Sequence, residues 1–194
     1  MLVGADVANF DETGTDVNEK TIWVHNSSTA DLTYQTINKK RGQPGMEDNG
    51  VLPDFKGMAV HDCCSPYWKY TDINHAVCCA HRLRELTGVE QYSPEHKWAP
   101  EFKILLRAMK KARDKAVAKG KAELSYYYHH KSDLEYDRIM KLADEECPVP
   151  PDQHPNTKGR KKKGKERALI ERLIKLKASV RLFTKDFRVP FDNN

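Results

Sequence analysis

The chain has 194 residues, with 33 Lys and Arg against 28 Asp and Glu, a formal net charge of +5 and a pI near 8.8. This length supports one core of ordinary size with an appended lobe, and no run of about 18 uninterrupted apolar residues offers a membrane span. The opening MLVGADVANFDETG lacks the basic flank and long apolar run of a secretory signal, while an odd set of cysteines (63, 64, 78, 79 and 147), with two adjacent pairs, predicts reduced thiols and a cytosolic setting.

The first 80 residues carry the β-branched and aromatic content and the turn punctuation of strands. TIWVH (21–25), DLTYQTI (31–37), GMAVHD (57–62) and HAVCCAH (75–81) are the clearest, and the segment leading to Asp11 can be another. GQPGMEDNGVLPDFKG leaves room for one short helix, with Pro44 near its start and Gly50 past its end. The class is therefore α/β.

From residue 81 the apolar period changes. Ser93 and Pro94 fit an N-cap and first helical residue, after which Trp98, Phe102, Leu105, Met109, Ala112 and Ala116 recur at spacings of four and three. Residues 122–146 predict a second helix packing back through Leu124, Tyr128, Leu134 and Met140, with the tyrosines of SYYYHH as core and rim. Prolines then break the pattern. Residues 158–167 hold seven basic residues (Lys158, Arg160, Lys161, Lys162, Lys163, Lys165 and Arg167) against one Glu, so the run is either solvated charge or a phosphate-contacting arm. A third helix follows, with Leu169, Leu173, Leu176, Val180 and Phe183 in register. These periods divide the chain into a core over 1–92, a helical insertion and basic linker over 93–165, and a returning C-terminal helix over 166–194.

Two constellations could carry chemistry. Asp11 in FDETG and Asp62 in VHDCC each stand near the end of a candidate strand, and such strands can be neighbours. Carboxylates side by side repel unless cations neutralise them, and hard oxygen ligands suit Mg²⁺. An Asp after a strand also simply opens a turn, and the residues alone leave both readings open. The second constellation is zinc-like: His61, Cys63, Cys64, His75, Cys78, Cys79 and His81 fall within 21 positions. It lacks a C-x-x-C pair, and a cysteine in an apolar strand usually packs as a small hydrophobe. No Gly-rich phosphate loop and no G-x-S-x-G elbow occurs, which leaves nucleotide-dependent and serine-hydrolase chemistry without support.

Taken together, FDETG, WVHNSSTADLTYQTINKKRG, GVLPDFKGMAVHDCCSPYWKY with HAVCCAHRLRELTGVEQY, and the terminal DFRVPFDNN resemble the insertion-sequence-66 family of bacterial DDE transposases over nearly the whole chain. The resemblance implies a ribonuclease-H-like mixed sheet of about five strands with a helical insertion. It implies that Asp11 and Asp62 are the first two catalytic acids, holding Mg²⁺ or Mn²⁺ for phosphodiester cleavage and strand transfer. Transposon ends and target DNA are the implied partners, self-association is open, and the implied setting is the bacterial cytoplasm at the nucleoid. His81 and Arg84 match family positions near the site and join the basic run as candidate DNA contacts. In the family the third acid is a Glu a few positions beyond the Asn pair, and a DNA-binding region precedes the catalytic part. The 194 residues thus read as a piece of a transposase lacking that Glu and expected to be inactive alone, with Asp192 as the one nearby acid, on a terminus expected to fray. The alternative is a non-catalytic DNA-binding or interaction remnant that uses the basic run.

Overall fold

A computed structural model describes residues 1–150 and 163–193. The described residues form a five-stranded mixed sheet and six α-helices, and the chain divides into two compact units, Met1–His81 with Ser179–Asn194, and Arg82–Ala178.

The first unit holds the sheet, in the order β3-β2-β1-β4-β5. β1 (Val7–Val17), β2 (Lys20–Ser28) and β3 (Thr33–Asn38) form an antiparallel meander, while β4 (Met58–His61) and β5 (Asn74–Val77) add on parallel to β1. Parallel addition requires crossovers, and the first of them contains α1 (Gln43–Asn49). That helix carries Pro44 in its first turn and is capped by Gly50, which takes the left-handed conformation that glycine adopts without steric penalty. Asn49 fastens it to the sheet, accepting from the Ser27 hydroxyl at 2.9 Å and donating to Thr36 at 2.9 Å.

Alternation along β1 sends Ala8 and Phe10 into one core with Met46, Leu52, Phe55, Ala59, Tyr67 and Ile73. The same alternation sends Glu12 inward, a carboxylate where an apolar residue belongs. The C-terminal residues up to Asn193, expected to fray, are docked on the sheet unit. Val189, Phe191 and Asn193 are buried, Cys79 N donates to Phe191 O at 2.9 Å, and Asn193 Nδ2 donates to Phe10 O at 3.1 Å. These bonds supply the anchoring that the sequence, read by its end position, does not reveal.

β5 stops at Val77, and Cys79 already opens α2 (Cys79–Tyr92), which runs from the first unit into the second. Sequence periodicity does not separate this helix, because its buried positions include Arg82 beside Leu86 and Val89, which blurs the apolar stripe. In the second unit α3 spans Trp98–Val117. Its start lies four residues beyond the expected Pro94. The cap comes from outside the local sequence, since the Glu146 carboxylate accepts from the backbone N–H groups of Lys97 and Trp98, and the Ser93 hydroxyl bonds Glu166 instead.

The buried face of α4 (Tyr126–Glu146) includes Tyr136, Ile139, Met140 and Ala143; of the expected stripe, Leu124 and Met140 are buried and Tyr128 is half-buried, but Leu134 is 57% exposed. Tyr126 and Tyr127, read as core and rim, also face solvent. Tyr136 meets Phe102 edge-on, with ring centroids 4.9 Å apart, and donates to Leu173 O at 2.8 Å. The third expected helix is two, α5 (Lys165–Lys175) and α6 (Lys177–Val180), with the break at Leu176. No helix among the described residues is long and apolar enough to cross a membrane.

Candidate functional site

The site is built where β1 and β4 run side by side. Their parallel register sets Val7 against Met58, Ala8 against Ala59 and Asn9 against Val60. Carried two residues further, it sets Asp11 against Asp62; Asp11 lies within β1 and not near a strand end as expected, because pairing with β2 carries the strand on to Val17. Asp62 lies just past β4, where its Oδ1 accepts the Cys64 N–H at 2.7 Å, so the turn-opening and site readings of this residue are compatible.

Asp11 is half-buried, and desolvation raises its carboxyl above the usual range. The charge of His81 and the Glu12 N–H, which donates to Asp11 Oδ1 at 3.0 Å, oppose that rise, while the charges of Glu12 and Asp62 add to it. Each of the two aspartates keeps Oδ2 without a hydrogen-bond donor among the described residues. A partly desolvated carboxylate beside a second one, each with a spare oxygen, is a donor set that fits a hard divalent cation.

A second acidic constellation lies next to it. Ligand atoms of Glu12, Asp62 and Cys64 fall within 4.8 Å of one another. Both Glu12 oxygens are already engaged: Oε1 accepts Arg41 Nε at 3.0 Å and Oε2 accepts the Tyr67 hydroxyl at 2.6 Å. Burial, with the charges of Glu12 and Asp62, pushes the Cys64 thiol up to about 11, so it remains a neutral S–H at physiological pH. Arg41 stays a firm cation: burial disfavours its charge, but its bond to Glu12 outweighs that, and it lies over the Trp23 ring at 4.8 Å. Tyr67, buried and facing Glu12, is held protonated well above its ordinary value. These groups form a closed hydrogen-bonded brace, in which the cation needed by Glu12 is Arg41.

The brace is the part sequence reasoning missed. Its available signal was Glu12 itself, in phase with Ala8 and Phe10 on the core side of β1 and therefore in need of a partner.

The His and Cys residues of the zinc-like cluster do not gather into a group of three or more among the described residues. His61 is fully buried, stacked on Tyr67 at 4.3 Å and bonded through Nε2 to His75 Nδ1 at 2.9 Å, while His75 Nε2 bonds Tyr70 O. Burial lowers the His75 pKa and raises that of Cys78. Cys78 and Cys79 have no exposed surface, and Cys79 Sγ is directed at Val180 O, as expected of small core hydrophobes.

Of the candidate DNA contacts, His81 is half-buried in the first unit, and Arg84 is exposed on α2 in the second. Lys158, Arg160, Lys161 and Lys162 lie outside the described residues. Lys163 pairs with Glu171 at 2.8 Å and Lys165 is exposed at the start of α5. Arg167 is buried and paired with Asp144 and Glu171, which makes it a structural cation of the second unit.

No curated protein and no solved structure matches the chain significantly. The family model described as Transposase IS66 family matches residues 1–194, the whole chain, and the protein therefore belongs to that family of transposases.

Proposed function

We propose that the protein carries the catalytic sheet of a DDE-type transposase, of ribonuclease-H-like fold, in which Asp11 and Asp62 hold Mg²⁺ or Mn²⁺. The observation that supports this reading is the parallel β1–β4 pairing, whose register, carried two residues past its last pair, sets Asp11 within β1 opposite Asp62 just past the end of β4, each with an uncommitted oxygen. When bound, divalent cations would activate the attacking oxygen and offset charge on the departing one during phosphodiester cleavage. The chain's own contribution is positional. β1 fixes Asp11, the Cys64 N–H orients Asp62, and the brace of Glu12, Arg41 and Tyr67 ties β1 to the segments on either side of β4. Tyr67 follows Asp62 by five residues, so its bond to Glu12 restrains the turn that carries Asp62.

Residues 1–194 supply two acids, and the third family acid, by resemblance, follows the Asn193–Asn194 pair. Asp192 precedes that point, on a segment docked against the sheet. Two carboxylates hold divalent ions weakly, so these residues alone should bind metal at low occupancy and perform no strand transfer. The test is Mg²⁺-dependent nicking of transposon-end DNA. A chain extended by a helix carrying the family Glu should nick and its Asp62→Asn variant should not. Equal activity in parent and variant would remove Asp62 from the mechanism, and robust nicking by residues 1–194 alone would show that no third acid is required.

A further inference from the structure

A second concentration of positive charge, longer than the basic run at 158–167, lies on α3 and just beyond it. Residues 103–121 hold eight Lys and Arg and one Asp, a net of 8 − 1 = +7 against +5 for the whole chain, so all other residues together sum to 5 − 7 = −2. Several described cations elsewhere in the second unit are neutralised by ion pairs. Arg138 pairs with Glu101 and Glu135, Lys177 with Asp133 and Asp137, Arg172 with Glu85, and Arg167 with Asp144.

On α3 itself Lys103 is tied to Glu90, and Lys110 and Arg113 to Asp114. Arg107, Lys111 and Lys115 are exposed and enter no ion pair among the described residues, and the same holds for Lys119 and Lys121 just beyond the helix. Arg107, Lys111 and Lys115 stand four residues apart, so they form one ridge on the face opposite the buried Phe102, Leu106 and Met109. A like-charged i, i+4 row weakens a helix, which argues that something other than helix stability accounts for it.

We infer that this ridge is a second DNA-contacting surface, gripping the phosphate backbone of duplex DNA. The ridge spans about 12 Å at 1.5 Å per residue. Phosphates of one strand recur about every 3.4 Å along the duplex axis, so its three cations cover roughly three to four of them. Tyr126 and Tyr127, 85% and 73% exposed, stand at the start of α4, which the Tyr128 hydroxyl fastens to Ala108 O at 3.2 Å beside the ridge. They are placed as flanking polar and aromatic contacts. The identification of the polyanion as DNA rests on the transposase reading; the charge pattern does not.

The test is fluorescence anisotropy of residues 1–194 with a labelled duplex of arbitrary sequence, in EDTA so that no cleavage intervenes, over about 50 to 200 mM salt. The variant R107A/K111A/K115A, of unchanged circular dichroism, should bind at least tenfold more weakly at the low-salt end. Its slope of log affinity against log salt should be shallower by about 2.7, at about 0.9 per lost phosphate contact. The control R138A/K177A, which removes paired cations, should bind within twofold of the parent. An unchanged slope in the triple variant overturns the inference while leaving the Asp11 and Asp62 reading intact. A parent that binds no duplex also overturns it, and the metal-ion reading would then still be decided by its own titration.

Discussion

Tyr67→Phe removes one hydroxyl from the brace behind the site, and its cost can be worked from the contacts. The Tyr67 hydroxyl donates to Glu12 Oε2 at 2.6 Å, and neither side chain has appreciable exposure. A hydrogen bond to a charged group contributes about 1.5–3 kcal/mol. Glu12 keeps Arg41 on its other oxygen, and the Arg41 side chain is 48% exposed, so the carboxylate is not stranded. The cost should therefore fall in the lower part of that range, about 1.5–2 kcal/mol. At about 2–4 °C per kcal/mol for a chain of this size, the melting temperature should drop by roughly 3–8 °C in scanning calorimetry. The double variant E12Q/Y67F should show coupling, with Tyr67→Phe costing at least about 1 kcal/mol less in the Glu12→Gln background. If Tyr67→Phe melts with the parent, or costs the same in both backgrounds, the brace is not an energetic unit and the reasoning is wrong.

Other perturbations test separate parts of the structure. Gly45→Ala would place a Cβ 2.0 Å from His25 Nε2 and 2.6 Å from Lys40 O, so it should destabilise by about 1–3 kcal/mol or more, read by urea unfolding. Ile139→Ala, in the α4 core, should cost about 2–5 kcal/mol, whereas Leu134→Ala on the exposed face should stay within about 0.5 kcal/mol, a contrast that reverses if the face expected from sequence is correct. His96 is held above its usual 6.5 by its bond to Glu166; Glu166 is held below its usual 4.5 because its bonds to Trp98, His96 and Ser93 outweigh its burial. The raised His contributes stability below pH 6.5 that is lost as pH rises through its folded value, and the depressed Glu contributes stability above pH 4.5 that is lost as pH falls through its own. Melts across pH should therefore show this contribution largest between those values, and His96→Gln should remove the alkaline-side loss while leaving the acid-side one.

What the sequence made legible was local or strictly periodic. Helix α1 could be read because Pro44 and Gly50 carry its start and stop in their own backbone chemistry. The buried stripe of α3 could be read because Trp98, Phe102, Leu105 and Met109 repeat at helical spacing over several turns. The start of α3 could not, since its cap is a carboxylate 49 residues away in sequence. The same distance problem hid the brace. Glu12 finds Arg41 and Tyr67 across 29 and 55 residues, and only the sheet order brings them together. On α4, Met140 could be read as core, but Tyr126 and Tyr127 could not be told from core, because SYYYHH supplies aromatic residues without saying that the helix start is unpacked. Asp11 and Asp62 were singled out by family resemblance, and residue spacing alone did not weight them above a turn.

The central claim is that Asp11 and Asp62, and not the neighbouring group of Glu12, Asp62 and Cys64, form the metal-holding pair. The direct measurement is Mn²⁺ binding by electron paramagnetic resonance, following loss of the free-ion signal, with residues 1–194 and the variants Asp11→Asn, Asp62→Asn and Glu12→Gln, each checked for native circular dichroism. Weak binding by the parent, lost in both aspartate variants and retained in Glu12→Gln, is the predicted result. Binding that survives Asp11→Asn but disappears in Glu12→Gln would contradict the account and move the site to the other face of β1.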